Sequence, residues 1–186
     1  MADSPNRIIS NVVGGLYAST WQPVQEDGDP ANRKDTVRRV ALGSDHGGFP
    51  AKEILKAYLP TLGYRVVDVG AYSTDPVDYP DLAIKVSKKV ASGECERGIM
   101  IDGAGIGSSM VCNKVRGIRA ALCYDIKTIQ NSRLHNNANV LTLGGPMHDE
   151  KTLCEMVRVW LETRFEGGRH WPRINKMMAA EKLGGL

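Results

Sequence analysis

The sequence predicts an α/β fold: a doubly wound, mostly parallel five-stranded sheet with helices on both faces. Two observations carry that prediction. From Arg38 onward, short apolar runs alternate with segments whose apolar residues recur at helical spacing. Polar and titratable residues gather immediately after the apolar runs, and in such sheets the ligand crevice lies beyond the carboxyl ends of the strands.

The elements follow in order. VALGS (40–44) is the first candidate strand, and residues 51–62 carry helical spacing behind it. YRVVDVG (64–70) is followed by a helix over 79–92, and RGIMID (97–102) by one over 107–115. IRAALC (118–123) precedes a helix over 126–135, and NVLTLG (139–144) one over 150–163. A last helix is expected over 172–182, its entry set by Gly167, Gly168 and a proline near the first turn.

Residues 1–37 differ in character and are expected to form an arm and linker preceding a domain over 38–186. Ser4 and Pro5 suit a helix start, and Ile8, Ile9, Val12, Val13, Leu16 and Tyr17 would share one face of it. WQPVQEDGDPANRKD then reads as a polar linker. The segment suits either an arm packed on the protein and its oligomeric partner or a detachable interaction peptide.

At 186 residues the chain can bury one sizeable core, and its net charge of +3 gives no electrostatic case for nucleic acid. Cys95, Cys112, Cys123 and Cys154 lack any C-x-x-C or metal-like spacing, which fits reduced thiols in a cytoplasmic protein better than disulfides or zinc. No apolar stretch approaches bilayer-spanning length, and the N-terminus lacks the order of a secretory signal.

The first strand empties into GSDHGGF, where Asp45 and His46 suit either a binding site or a simple helix cap. The third empties into DGAGIG, where Gly103, Gly105 and Gly107 can aim backbone N–H groups at an anion or oxyanion. Rival readings are a dinucleotide fingerprint, with Asp125 downstream but with G-x-G-x-G spacing, and glycines chosen only for tight packing. In SRLHNNAN, His135 and Asn136 stand at a helix end, where a histidine also suits the dipole alone. In FEGGRHWPRINK, a helical continuation brings Arg169, Arg173 and Lys176 to one side, as a phosphate clamp or as a solvated basic face.

SDHGGF, DYP (78–80), DGAGIG with NKVRGIRA (113–120), SRLHNNANVL and FEGGRHWPR together, in this order, resemble the ribose-5-phosphate isomerase B and galactose-6-phosphate isomerase subunit family over about residues 38–182. The resemblance implies a Rossmann-like fold and aldose–ketose isomerisation of a sugar phosphate, with no redox cofactor or metal. It implies a homodimer or dimer of dimers whose active sites are shared between subunits. Asp45 and His46 would then bind the sugar or its phosphate, Tyr79 would line the substrate pocket, and His135, beside Asn136, would assist ring opening. The amides of Gly103, Ala104, Gly105 and Gly107 would face the enediolate, with Ser108 also in the substrate site, and Arg169 and Arg173 would hold the phosphate. Many members carry a cysteine base in the place of Asp102, and others a glutamate in the place of Ser108. Asp102 is therefore the expected base, since a positioned carboxylate can move a carbon-bound proton. The same departure leaves a non-catalytic sugar-phosphate-binding subunit as the alternative, and substrates of four, five or six carbons stay open. Residues 4–17 also resemble the encapsulation peptides that direct cargo to bacterial microcompartment shells.

Overall fold

The computed structural model describes residues 38–182 of the chain. The amphipathic segment over 4–17 and its linker lie outside the described residues. Two compact units divide the described residues after residue 166. The larger contains all five strands: β1 (Arg38–Ser44), β2 (Tyr64–Asp68), β3 (Arg97–Asp102), β4 (Ala120–Leu122) and β5 (Val140–Gly144). Every pairing is parallel, in the order β2-β1-β3-β5-β4.

The helices of this unit are α1 (Phe49–Tyr58), α2 (Tyr79–Ala91), α3 (Ile106–Cys112), α4 (Ile126–Leu134) and α5 (Glu150–Glu162). The expected helix over 51–62 starts earlier, at Phe49 with Pro50 in its first turn. It gives way to a 3₁₀ turn over Leu59–Leu62, because Pro60 has no N–H to donate back into the ladder. The expected strand over 118–123 shrinks to Ala120–Leu122, which sits at a sheet edge and pairs only with β5. The expected helix over 107–115 ends at Cys112. There the Asn113 side chain donates to Ser109 O and Ala120 O (3.0 and 2.9 Å) and accepts from Ala120 N (2.9 Å).

Period-two alternation along the strands builds one core on each face of the sheet. Val40, Leu42, Ile99, Ile101, Leu141 and Leu143 point to one face, where Leu55 of α1, Ile129 of α4 and Met156 and Trp160 of α5 cover them. Ala41, Met100 and Val140 point to the other, under Leu82, Ala83 and Val86 of α2 and Cys112 of α3. Each of the large aliphatic side chains removed from water in this way contributes about 1.5–3 kcal/mol. On the second face α2 lies unusually close to the sheet. A Cβ at Gly98 would stand 2.7 Å from Val86 Cγ1 and 3.0 Å from Val90 Cγ2.

The smaller unit holds a 3₁₀ turn over Gly168–His170, α6 (Trp171–Ala179) and a closing 3₁₀ turn over Ala180–Lys182. Pro172 stands in the first turn of α6, as the sequence predicts.

Gly98→Ala is expected to destabilise the fold by about 1–3 kcal/mol, the range for overpacking a filled core. Urea unfolding of the two proteins measures it, with a lower midpoint and an unchanged slope as the expected result.

Candidate active site

β1 and β3 are neighbours, β2 lies outside β1, and the rest of the sheet extends from β3, so the strand order reverses between them. Ser44 pairs with Ile101 and Asp102 with Gly144, so β1, β3 and β5 end at one level. The Asp45 amide donates to Ile101 O at 3.0 Å and joins the first two ends directly. The loops after these strands therefore face one crevice.

Asp102 is the last residue of β3 and is only 5% exposed. Its Oδ1 accepts from the amides of Ala104 (2.8 Å) and Gly105. Its Oδ2 accepts from the amide of Ser108 (3.1 Å) and from the Ser108 hydroxyl. Four donors fill the acceptor positions of a carboxylate. The arrangement depends on Gly105, whose φ of +78° is left-handed and whose absent Cβ would meet Leu143 backbone atoms at 2.9 and 3.1 Å. This corrects the expectation that all the loop amides face a substrate oxyanion: those of Ala104 and Gly105 serve the chain's own carboxylate. Gly103, Ile106 and Gly107 do not donate to Asp102.

Around this loop stand the other residues of the crevice. Asp45 is buried, and its Oδ1 accepts from the Gly48 amide at 2.8 Å, so it caps the turn into α1. His46 is exposed, and its Nδ1 accepts from Val77 N at 3.4 Å, which leaves the neutral ring's proton on Nε2. Tyr79, the first residue of α2, lies on Gly107, where a Cβ would meet its ring carbons and hydroxyl at 2.6–2.8 Å. Tyr124 closes the far side by donating its hydroxyl to Ala104 O at 3.1 Å. Cys112, on α3, is fully buried and burial raises its thiol pKa, so it fits packing. Asp125 caps α4 through a reciprocal pair with Thr128, which accounts for its place without a nucleotide.

His135 and Asn136 are not in this crevice. α4 leaves the carboxyl end of β4, and its nine residues return the chain by about 13 Å toward the amino ends of the strands. There His135 Nδ1 stands 3.0 Å from Asn131 Nδ2, and its Nε2 is 3.5 Å from Glu166 Oε2. Asn136 Nδ2 lies 3.4 Å from Asn131 Oδ1, so one asparagine holds both side chains. In the smaller unit, Arg169 is in the 3₁₀ turn, Arg173 and Lys176 are on α6, and all three are exposed.

A family model described as Ribose/Galactose Isomerase matches residues 40–177. The chain is 39% identical over 146 residues to ribose-5-phosphate isomerase B of Escherichia coli, covering 78% of this chain and 98% of that protein. It is 37% identical to a D-erythrulose-4-phosphate isomerase of Pectobacterium atrosepticum, covering 74% and 91%. The solved ribose-5-phosphate isomerase B of Clostridium thermocellum superposes with a TM-score of 0.77 at 43% identity, covering 78% and 98%. The chain belongs to the ribose/galactose isomerase family.

In this member of the family, Asp102 and Ser108, which the sequence sets against each other as alternative positions for the base, are hydrogen-bonded to each other. Two supporting residues escaped the sequence reading. Arg133 is fully buried and donates to Asn137 Oδ1 and Ala138 O (both 2.7 Å) and Thr163 O (3.2 Å), with its guanidinium over Trp160. It pins the left-handed Asn137 and so the loop that carries His135 and Asn136. Lys52 is fully buried beneath the end of β2, with its ammonium 3.0 and 2.9 Å from the Asp68 carboxylate oxygens and near the rings of Phe49 and Tyr72. Asp68 also accepts from the Gly70 amide (2.9 Å), and Gly70 O in turn accepts from Ser44 N (2.7 Å) at the crevice.

Burial pushes the Asp68 carboxyl up, but hydrogen bonds from Lys56, the Gly70 amide and Lys52, with the charge of Lys52, outweigh it and hold the pKa below its ordinary value. A depressed folded-state pKa gives stability that is complete above the unfolded value of about 4 and is lost as the pH falls through the folded value. The unfolding free energy is therefore expected to drop on acidification below about pH 4. Asp68→Asn is expected to flatten that drop, as measured by urea unfolding across the acid range.

Proposed function

We propose that this chain interconverts an aldose phosphate and its ketose phosphate by proton transfer through an enediolate, with Asp102 as the base. As a ribose/galactose isomerase family member it is a sugar-phosphate isomerase of the aldose–ketose type. The observation that carries the reading is a buried carboxylate at the end of the central strand, held still at the floor of the crevice. A base in fixed position is what proton abstraction next to a carbonyl requires.

The step balances without a co-reactant. Asp102 takes the proton from the carbon beside the carbonyl, the C–H pair becomes the carbon–carbon double bond, and the carbonyl electrons pass to oxygen. Asp102 then returns the proton to the former carbonyl carbon, while the hydroxyl proton on the first carbon passes to the former carbonyl oxygen and leaves the new carbonyl behind. Asp45, His46 and Tyr79 hold the sugar, Gly103 and Gly107 line the reacting carbons, and Ser108, buried behind them, reaches the substrate only through Asp102. Ring opening falls to His135 with Asn136, and Arg169 and Arg173 hold the phosphate. Ribose 5-phosphate and ribulose 5-phosphate are the first substrates to test, because two of the named relatives act on that sugar. The erythrulose 4-phosphate relative makes a four-carbon substrate the next.

His135 and Asp102 lie at opposite ends of one sheet, so in this reading a homodimer supplies each crevice with the His135 and Asn136 of a second copy. Exposed apolar side chains at the crevice rim, Ile106, Met110 and Met147, support a covering partner. A non-catalytic binding subunit is the second reading, favoured by one observation: all acceptor positions of Asp102 are occupied. For residues 4–17 we propose contact with a microcompartment shell, on the strength of their amphipathic pattern.

Turnover measured on four-, five- and six-carbon aldose and ketose phosphates is expected on at least one. Binding without turnover on all of them supports the second reading. Asp102→Asn and His135→Ala chains, each inactive alone, are expected to recover about one quarter of wild-type turnover when unfolded together and reassembled, since half of the dimers are mixed and each carries one intact site. Deleting residues 1–30 is expected to leave turnover unchanged and to abolish co-localisation with shell proteins in fluorescence imaging.

A further inference from the structure

We infer that Ser108 is the positioning residue that makes Asp102 usable as a base, by releasing Oδ2 and then receiving the proton's hydrogen bond. The inference rests on the reading of Asp102 as the base and extends it. Its starting point is a conflict within the site: the carboxylate that must accept a proton already accepts four hydrogen bonds. Three of the donors are backbone amides, those of Ala104, Gly105 and Ser108, fixed by the loop and the first turn of α3. The fourth is the Ser108 hydroxyl, and only it can turn away by rotation about one bond.

The two carboxylate oxygens are therefore not equivalent. Oδ1 is held by two amides, which donate and never accept, so a proton placed on Oδ1 would face two N–H groups with no acceptor among them. Oδ2 is held by one amide and one hydroxyl, and a hydroxyl donates or accepts as needed. While Asp102 is ionised, Ser108 Oγ–H donates to Oδ2. When Oδ2 takes the substrate proton, the hydroxyl rotates and its oxygen accepts from Oδ2–H. The site then has a satisfied arrangement for both protonation states, and the proton enters and leaves at one chosen oxygen.

Burial makes the hydroxyl hard to replace. Ser108 is fully buried and Asp102 is 5% exposed, and a buried polar group that loses its partner bears the full desolvation penalty. Neighbouring side chains do not offer the same exchange. Cys112 directs its thiol to Ala83 O at 3.7 Å, and Tyr79 lies over Gly107.

Ser108→Ala removes one oxygen atom and leaves the three amides in place. Steady-state kinetics on the substrate identified by turnover are expected to show kcat lowered by about 10- to 100-fold with KM within about twofold. The primary isotope effect on kcat, measured with substrate deuterated at the carbon that loses its proton, is expected to rise in Ser108→Ala, because proton transfer becomes more rate-limiting. Ser108→Thr, which keeps the hydroxyl, is expected to recover most of the lost kcat and the wild-type isotope effect. Thermal unfolding of both variants sets a common assay temperature at which each is folded. A Ser108→Ala enzyme with wild-type kcat and isotope effect would overturn the inference. So would a loss of kcat in both variants with the isotope effect unmoved, which marks a structural role. Full turnover by Asp102→Asn overturns the underlying reading instead, and that variant is measured alongside.

Discussion

The crevice depends on one interaction, the Asp102 carboxylate receiving the amides of the loop that follows it. A glycine loop after a strand usually turns its N–H groups outward to an anion from solution. Here the anion is the strand's own last side chain, and it sets the loop's course. With the loop wound around Asp102, Gly105 takes a left-handed conformation, α3 starts at Ile106, and Ser108 returns to the carboxylate one turn later. Tyr79 and Tyr124 then pack on either side of the result. A carboxylate at the mouth of an anion cradle is thus no contradiction: it is the cradle's occupant, and in the proposed chemistry the proton carrier as well.

Behind the loop, the sheet is built to bring chain segments close. The glycine at position 98 admits Val86 onto β3, and α2 therefore presents Tyr79 at the level of the crevice. Charged groups are buried where the scaffold must not move. Lys52 and Asp68 fix the end of β2, and Arg133 fixes the turn before β5. Breaking such a pair leaves an uncompensated charge or unsatisfied carbonyls, which costs far more than losing an exposed ion pair.

Much of this was legible in the sequence, and the limits have physical causes. Strands and helices were readable because their apolar periods differ, and β3 runs over the residues expected for it. Helix ends are not legible from apolar period where one side chain decides them, Pro60 after α1 and Asn113 after α3. Arg133 and Lys52 are hidden because a cation in a sequence reads as surface, and only long-range partners show otherwise. The donors to Asp102 were equally hidden, since backbone amides leave no trace in residue identity. The place of His135 is legible only through the resemblance, which implies sites shared between subunits: the parallel topology sends it to the opposite end of the sheet from Asp102, which spacing alone cannot tell.

Asp102 is both the keystone of the loop and, in the proposed chemistry, the group that moves the proton. The most direct measurement is proton NMR of the reactive carbon position of the sugar phosphate in D2O, with wild-type and Asp102→Asn enzyme and thermal unfolding to establish that the variant is folded. Wild-type turnover is expected to change the proton signals at both reacting carbons, with deuterium entering in those turnovers in which the Asp102 proton exchanges with D2O before its return, while the folded variant changes them at least about 1,000-fold more slowly. A rate of change with folded Asp102→Asn within about tenfold of the wild type would contradict this role of Asp102 and move the base elsewhere in the crevice.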